Sequence, residues 1–245
     1  MLFIHGFPEF WYSWRHQMNE FEKDYHVIAV DNRGYGDTDK PRGIRNYTVD
    51  KIVDDSKHLL EALGKRDIVL VAHDWGGAIA WRFAAKYPSL LDKLIIINSP
   101  HPLMTRIALR EWAQFIASWY MHFYSLPWLP EFALRANDYY IFDYAMQTWD
   151  NKPLLPSDQL EAYKYQFQKN GFTAPLNWYR AVIRRYPINN PKSTNDKYLT
   201  TPLAAAHNYV NDLTVKYIDN CSHWTQMEHP TLVNQYMREY LDARK

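Results

Sequence analysis

Residues 67–87 read DIVLVAHDWGGAIAWRFAAKY, and this stretch decides the fold. The run Ile68–Val71 is apolar and β-branched, which predicts a buried strand, while apolar spacing over Ala78–Tyr87 predicts a helix. Asp74 stands at the turn between them, with Ala72 two residues before it and Gly76 two after. Small residues at those places let a strained strand-to-helix turn lift one side chain clear of the sheet, the pattern of a nucleophile elbow. The lifted group here is a carboxylate. It is ionised at neutral pH, needs no base to become nucleophilic, and suits attack on an sp³ carbon to give a covalent ester. The competing reading makes Asp74 a simple cap for a helix starting at Gly76.

Working outward, further short apolar runs lie at 2–4 (LFI), 27–30 (VIAV), 94–97 (LIII) and 214–218 (TVKYI). Helical spacing covers Val49–Leu63 and, near the end, Thr231–Leu241. Alternating strands and helices predict an α/β fold, a parallel sheet with helices on both faces. The alternation stops near Ser99. From there to about Asp196 the pattern is helical and punctuated by prolines, so a helical insertion interrupts the core. The expected division is a first core part over 1–100, a helical cap over 101–195 and a last strand and helix over 196–245. Within the insertion, Trp112–Leu129 carries no formal charge; its Gln114, Ser118, His122, Ser125 and Pro127 make it an amphipathic, aromatic-rich helix rather than a membrane span.

The composition limits the partners. A chain of 245 residues fits one large domain or a domain with an insertion. A net charge of +1 gives no electrostatic footprint for nucleic acid or an anionic membrane. One cysteine, Cys221, excludes an internal disulfide. No HExxH or paired-cysteine spacing suggests a metal site, and no cofactor is expected. Aromatic residues reach 16%, an excess that suits an apolar pocket. Residue 1 leads directly into the first strand with no basic segment or long apolar run, so the chain as given reads as soluble and intracellular, with membrane association if an anchor precedes it.

The segments HGFPEFWYSWRHQ (5–17), DNRGYGDTDKP (31–41) and VAHDWGGAIAW (71–81) resemble the epoxide hydrolases of the α/β-hydrolase superfamily, and the resemblance covers essentially the whole chain. It implies Asp74 as nucleophile, with an oxyanion hole from the backbone amides of Phe7 and Trp75. It implies a cap carrying two tyrosines that donate a proton to the opening epoxide: Tyr179, within APLNWYR, and Tyr120, within YMHFYSLPW. A phenol suits that task because it stays protonated at neutral pH and can donate to an incipient alkoxide. Phe7, Trp11, Trp75 and Trp178 are candidate pocket walls, with core packing as the plain alternative. His223, in Asn220-Cys-Ser-His-Trp224, matches the base that activates water, and His73 is read as structural.

The same resemblance demands a carboxylate to orient His223, following a strand after Thr201-Pro202. The next residues, Leu203-Ala-Ala-Ala-His-Asn-Tyr209, look helical instead, and the interval from Pro202 to His223 is about twenty residues short of the family's pattern. Asp212, Asp219 and the neutral Asn98 do not fill the role, so the triad acid is unassigned. Family members also have two strands before the HGFP strand. The expected function is hydrolysis of a lipophilic epoxide to a vicinal diol, impaired by loss of the acid. Its partners are the epoxide and water, with neither nucleic acid nor metal. A non-catalytic truncated or spliced form and, less favoured by the cap tyrosines, a haloalkane dehalogenase are the alternatives. The particular epoxide, the oligomeric state and the compartment stay open.

Overall fold

A computed structural model of the chain describes residues 1–101, 112–184 and 212–243. Four strands form one parallel sheet: β1 (Leu2–Ile4), β2 (Ile28–Val30), β3 (Ile68–His73) and β4 (Leu91–Ile97), in the spatial order β2-β1-β3-β4. Ile4 pairs with both Val30 and Ala72, so β1 and β3 end at the same level. The turns that follow them, at His5–Phe7 and at Asp74, therefore lie side by side at the carboxyl edge of the sheet, where open α/β sheets place their sites.

The sheet is covered on both faces, as the alternation of elements predicts. Helix α1 spans Arg15–Phe21, α2 Val49–Ala62 and α3 Trp75–Lys86. Side chains of a strand point alternately to opposite faces. Leu2, Ile4, Leu70 and Ala72 accordingly share one apolar cluster with Ile52, Val53 and Leu60 of α2 and Ile79, Ala80 and Phe83 of α3. Phe3, Val69 and Val71 face the other cluster with Trp14 and Phe21. Burying each large apolar side chain contributes about 1.5–3 kcal/mol, so the two faces together fix the strand register.

After β4 the described chain is helical: α4 (Trp112–Ala117), α5 (Trp119–Ser125), α6 (Leu129–Tyr139), α7 (Ile141–Ala145), α8 (Ser157–Asn170) and α9 (Thr173–Ile183). The single helix expected over Trp112–Leu129 is thus two short ones. Pro127 disfavours helical backbone at the residue before it, and Leu126 is extended at φ −68°, ψ 151°, which ends α5 at Ser125. Among the described residues no helix is long and apolar enough to cross a membrane.

The strand expected at 214–218 is also corrected, because these residues are irregular and join no sheet. A strand is stable only beside a partner ladder, and among the described residues none reaches this one. The segment is held by side chains instead: Ile218 packs against the second cluster and Lys216 pairs with Glu239 at 2.7 Å. Glu239 lies on α11 (Pro230–Asp242), which follows the single turn α10 (Thr225–Glu228) and packs Val233, Met237 and Leu241 on the sheet. Thr201-Pro202 and the helical run expected at 203–209 lie outside the described residues.

Candidate active site

Asp74 adopts φ 50°, ψ −122°, a conformation that residues with a Cβ seldom take. Two glycines make room for it. A Cβ on Gly6 would stand 2.4 Å from the Asp74 Cβ, and one on Gly76 would stand 2.2 Å from the Ile4 carbonyl oxygen. The start of α3 can therefore press against the end of β1. The Asp74 side chain makes no capping bond to α3, which removes the plain cap reading. Its backbone carbonyl accepts from Gly77 N–H and from the Ser99 hydroxyl, while Oδ1 accepts the Phe7 N–H at 2.8 Å. The carboxylate is thus turned away from its own helix toward the turn after β1.

His223 approaches from the opposite end of the sequence. Its Nε2 lies 3.6 Å from Asp74 Oδ2, with the His223 side chain 41% and the Asp74 side chain 24% exposed. Burial by itself pushes the Asp74 carboxyl up, but the His223 ring, the nearby His73 and the Phe7 N–H outweigh it and hold the group below its ordinary value. The backbone of His223 is the part that is anchored. Its carbonyl accepts from His73 Nε2 at 2.9 Å and from Asn98 Nδ2 at 2.7 Å.

Beneath this pair lies a buried polar network. Glu9 Oε2 accepts from His73 Nδ1 and from the Gly6 N–H, each at 2.7 Å, and Oε1 accepts from Gln226 Nε2 at 2.8 Å. Both His73 nitrogens face acceptors, a carboxylate and a carbonyl, so the ring carries two protons and a positive charge. Burial opposes that charge, yet Glu9 overrides it and the His73 pKa is raised; the Glu9 carboxyl, likewise opposed by burial, is lowered by His73. His5 is arranged differently. Its Nε2 accepts the Asn32 N–H while Nδ1 donates to the Gly6 carbonyl, and burial keeps it neutral.

The aromatic side chains close over the carboxylate. Tyr179 on α9, 4% exposed, packs edge-on against Trp75 at 4.9 Å and Phe7 at 5.4 Å between ring centroids. Tyr120 on α5 is 40% exposed and lies 6.5 Å from the Tyr179 ring. Burial, reinforced by the negative charge of Asp74, pushes both phenols above their ordinary pKa, and Tyr179 well above it. Trp178 stands behind these rings, its indole N–H donating to the Arg33 carbonyl and its ring meeting Trp75 edge-on at 6.0 Å. Trp11 is not brought to the cluster. Its ring lies against Phe10 and Tyr12, and its backbone N–H donates to Asp31 Oδ1.

The structure therefore gathers Asp74, His223, Tyr179, Tyr120, Phe7 and Trp75. Among the described residues, Asp74 is the one carboxylate within 4.0 Å of the His223 ring. Asp219 and Asp212 make no such contact, and Asn98 holds the His223 backbone rather than its ring. A cavity of about 520 Å³ opens elsewhere, among Ile44, Trp128, Phe132 and Arg135. None of the gathered residues lines it, so the chemistry of the cluster and not cavity size marks this site.

Sequence reasoning did not single out Glu9 or Gln226, and it met Tyr124 only as a neighbour of Tyr120. Glu9 carried a signal, a lone carboxylate inside the apolar run FPEFW, where a charge survives only if it is paired. Tyr124 meets Tyr179 at 5.1 Å and Phe7 at 5.4 Å, and burial pushes its phenol up to about 12. Nothing local distinguishes it from the other tyrosines of the chain.

Known proteins resemble this chain in sequence and in fold. Residues 1–209 match the family model of the alpha/beta hydrolase fold. The chain is 38% identical to epoxide hydrolase 1 of Caenorhabditis elegans, aligning over 99% of its own length and spanning 64% of that relative. It is also 38% identical to human epoxide hydrolase 4, over 98% of this chain and 72% of that one. The crystal structure of a Bacillus megaterium epoxide hydrolase in complex with an inhibitor superposes with a TM-score of 0.85 at 30% identity, covering 99% and 93% of the two chains.

Proposed function

The chain belongs to the epoxide hydrolase family of the α/β-hydrolase superfamily, and from that membership we propose that it opens lipophilic epoxides through a covalent ester on Asp74. The observation that carries this reading is the placement of one carboxylate between a backbone amide and an imidazole, with Oδ1 on Phe7 N–H and Oδ2 facing His223 Nε2. In this reading the helices between β4 and residue 195 form a cap, while residues 1–100 and 196–245 supply the core.

The proposed first step is attack of Asp74 Oδ2 on an epoxide carbon. The new C–O bond forms as the epoxide C–O bond breaks, and the released electron pair goes to the ring oxygen. Tyr179, assisted by Tyr120, gives that oxygen its proton. Both phenols have raised pKa values and so stay protonated in the resting site. In the second step His223 removes a proton from water, which attacks Cγ of the ester. The oxyanion on Oδ1 is held by the amides of Phe7 and Trp75; as it collapses the Cγ–Oδ2 bond breaks, the leaving alkoxide takes the proton from His223 to give the diol, and the Asp74 carboxyl returns its proton to Tyr179. Phe7 and Trp75 would wall the pocket, with Trp178 behind them.

The two steps place unequal demands on the site. Alkylation uses Asp74 and the tyrosines, whereas hydrolysis needs His223 held in its working tautomer. Losing the orienting carboxylate of a hydrolase triad costs about 10⁴ in turnover. We therefore expect the ester to form and hydrolysis to lag. Intact-mass spectrometry after mixing with an aryl or fatty-acyl epoxide tests this. A persistent adduct on Asp74 supports impaired turnover, and sustained diol release shows that another group orients His223. A folded chain giving neither product contradicts the enzyme reading and favours a binding role.

A further inference from the structure

Cys221, Glu228 and His229 place a sulfur, a carboxylate oxygen and an imidazole nitrogen within 4.8 Å of one another. All three residues are partly accessible. We propose that they form a binding site for a divalent transition-metal ion of the zinc type, separate from Asp74 and independent of the hydrolase reading.

The donor set selects the metal. Thiolate, imidazole and one carboxylate suit zinc and its neighbours, whereas calcium and magnesium require cages of oxygen. No linear motif announces the site. The chain reverses between Cys221 and the turn α10, and that reversal brings Cys221 back onto Glu228 and His229.

The ligands are already oriented by their other contacts. Glu228 Oε2 accepts the Ser222 N–H at 2.6 Å and Oε1 accepts the Trp149 N–H at 2.8 Å, which fixes the carboxylate plane. His229 Nε2 donates to the Asn220 carbonyl at 3.2 Å, so the neutral ring in this tautomer would bind an ion through Nδ1. A second-nitrogen bond to a carbonyl is the usual way a ligating histidine is held in its tautomer. Cys221 Sγ makes long contacts, 3.4 Å each, to the Ser222 carbonyl and the Thr225 hydroxyl.

Donor atoms around one zinc stand roughly 3.3–3.8 Å apart, so the three must close by about 1 Å, within reach of side-chain rotation. Binding breaks the Cys221 S–H bond and forms a sulfur–metal bond, releasing one proton to solvent per ion. Three protein ligands leave a fourth position for water, so the ion is exchangeable rather than a structural staple. The ligands lie on both sides of His223, and a bound ion would tie the two flanks of that loop together.

The test is titration of the untagged, fully reduced chain with Co²⁺, followed by displacement with Zn²⁺. The expected result is a thiolate-to-cobalt charge-transfer band that saturates at one equivalent and vanishes on adding Zn²⁺. Cys221→Ser should abolish the band, while Glu228→Gln and His229→Ala should each weaken binding at least about tenfold. Circular dichroism and thermal unfolding establish that each variant is folded. Absence of the band in the parent chain, or its persistence in Cys221→Ser, overturns the site. Unchanged affinity in both the Glu228 and the His229 variants also overturns it, since that reduces the signal to a lone thiol.

Discussion

Glu9 and His73 meet at 2.7 Å, Oε2 to Nδ1, with neither side chain exposed to solvent. One comes from the turn after β1 and the other from the last residue of β3. Through Gly6, Gln226 and the His223 carbonyl, the pair ties together the three segments that deliver Phe7, Asp74 and His223.

Removing one charge of this pair strands the other in an apolar surrounding. Glu9→Gln should destabilise the fold by about 3–5 kcal/mol, measured by denaturant unfolding near neutral pH. A much smaller loss would show that His73 discards its proton at little cost.

The pair also predicts a pH profile. The raised His73 pKa contributes stability that is fully present below its ordinary value of 6.5 and is lost as pH rises through the higher folded value. The lowered Glu9 pKa contributes stability present above its ordinary 4.5 and lost as pH falls through the lower folded value. Stability should therefore be greatest between these limits and decline on both sides. In Glu9→Gln the alkaline decline attributable to His73 should disappear.

Asp74 has a lowered pKa and Tyr179 a raised one, so both hold their reactive protonation states over a wide range. Ester formation on Asp74 should be nearly independent of pH from about pH 5 to about pH 9, followed by stopped reaction and intact mass. Asp74→Asn should give no adduct at any pH.

The two phenols should contribute unequally. Tyr179 is buried against Trp75 and Phe7, whereas Tyr120 is 40% exposed. Tyr179→Phe should slow adduct formation by about 10²–10⁴, the ordinary range for a lost general acid. Tyr120→Phe should cost less, and equal losses would show that the phenols act as a symmetric pair.

The glycines at the elbow should fail in different ways. Gly76→Ala forces a methyl against the backbone oxygen of Ile4, which cannot swing aside, and should cost about 1–3 kcal/mol of stability. Gly6→Ala forces its methyl against the Asp74 side chain. Its main effect should be lost adduct formation in a chain that still unfolds cooperatively.

Much of the sheet was legible because its strands are short apolar runs bounded by turns, and each of β1 to β4 falls on such a run. The run at 214–218 reads the same way but is irregular, since strand formation depends on a neighbour that local pattern does not reveal. Asp74 was legible because small residues at fixed spacing mark the elbow, whereas Phe7 and Trp75 were expected only through the resemblance to the epoxide hydrolases. Glu9 and Gln226 were not, because their value lies in meeting across 217 positions. Trp11, aromatic and close to the turn, shows the limit of composition: its ring lies against its own sequence neighbours Phe10 and Tyr12 and is partly exposed.

His223 is held by its carbonyl, which His73 and Asn98 both grip, while its ring rests between His73, Trp224 and Asp74 with part of it open to solvent. If His223 is the base, as proposed, the loop is a seat that does not depend on the base being covalently present. In His223→Gly the seat should persist, leaving an imidazole-sized gap beside Asp74. Small exogenous imidazoles could then enter, and their ability to hydrolyse the trapped ester would vary with their own basicity. Rescue of that kind would make the loop a holder whose tool is interchangeable.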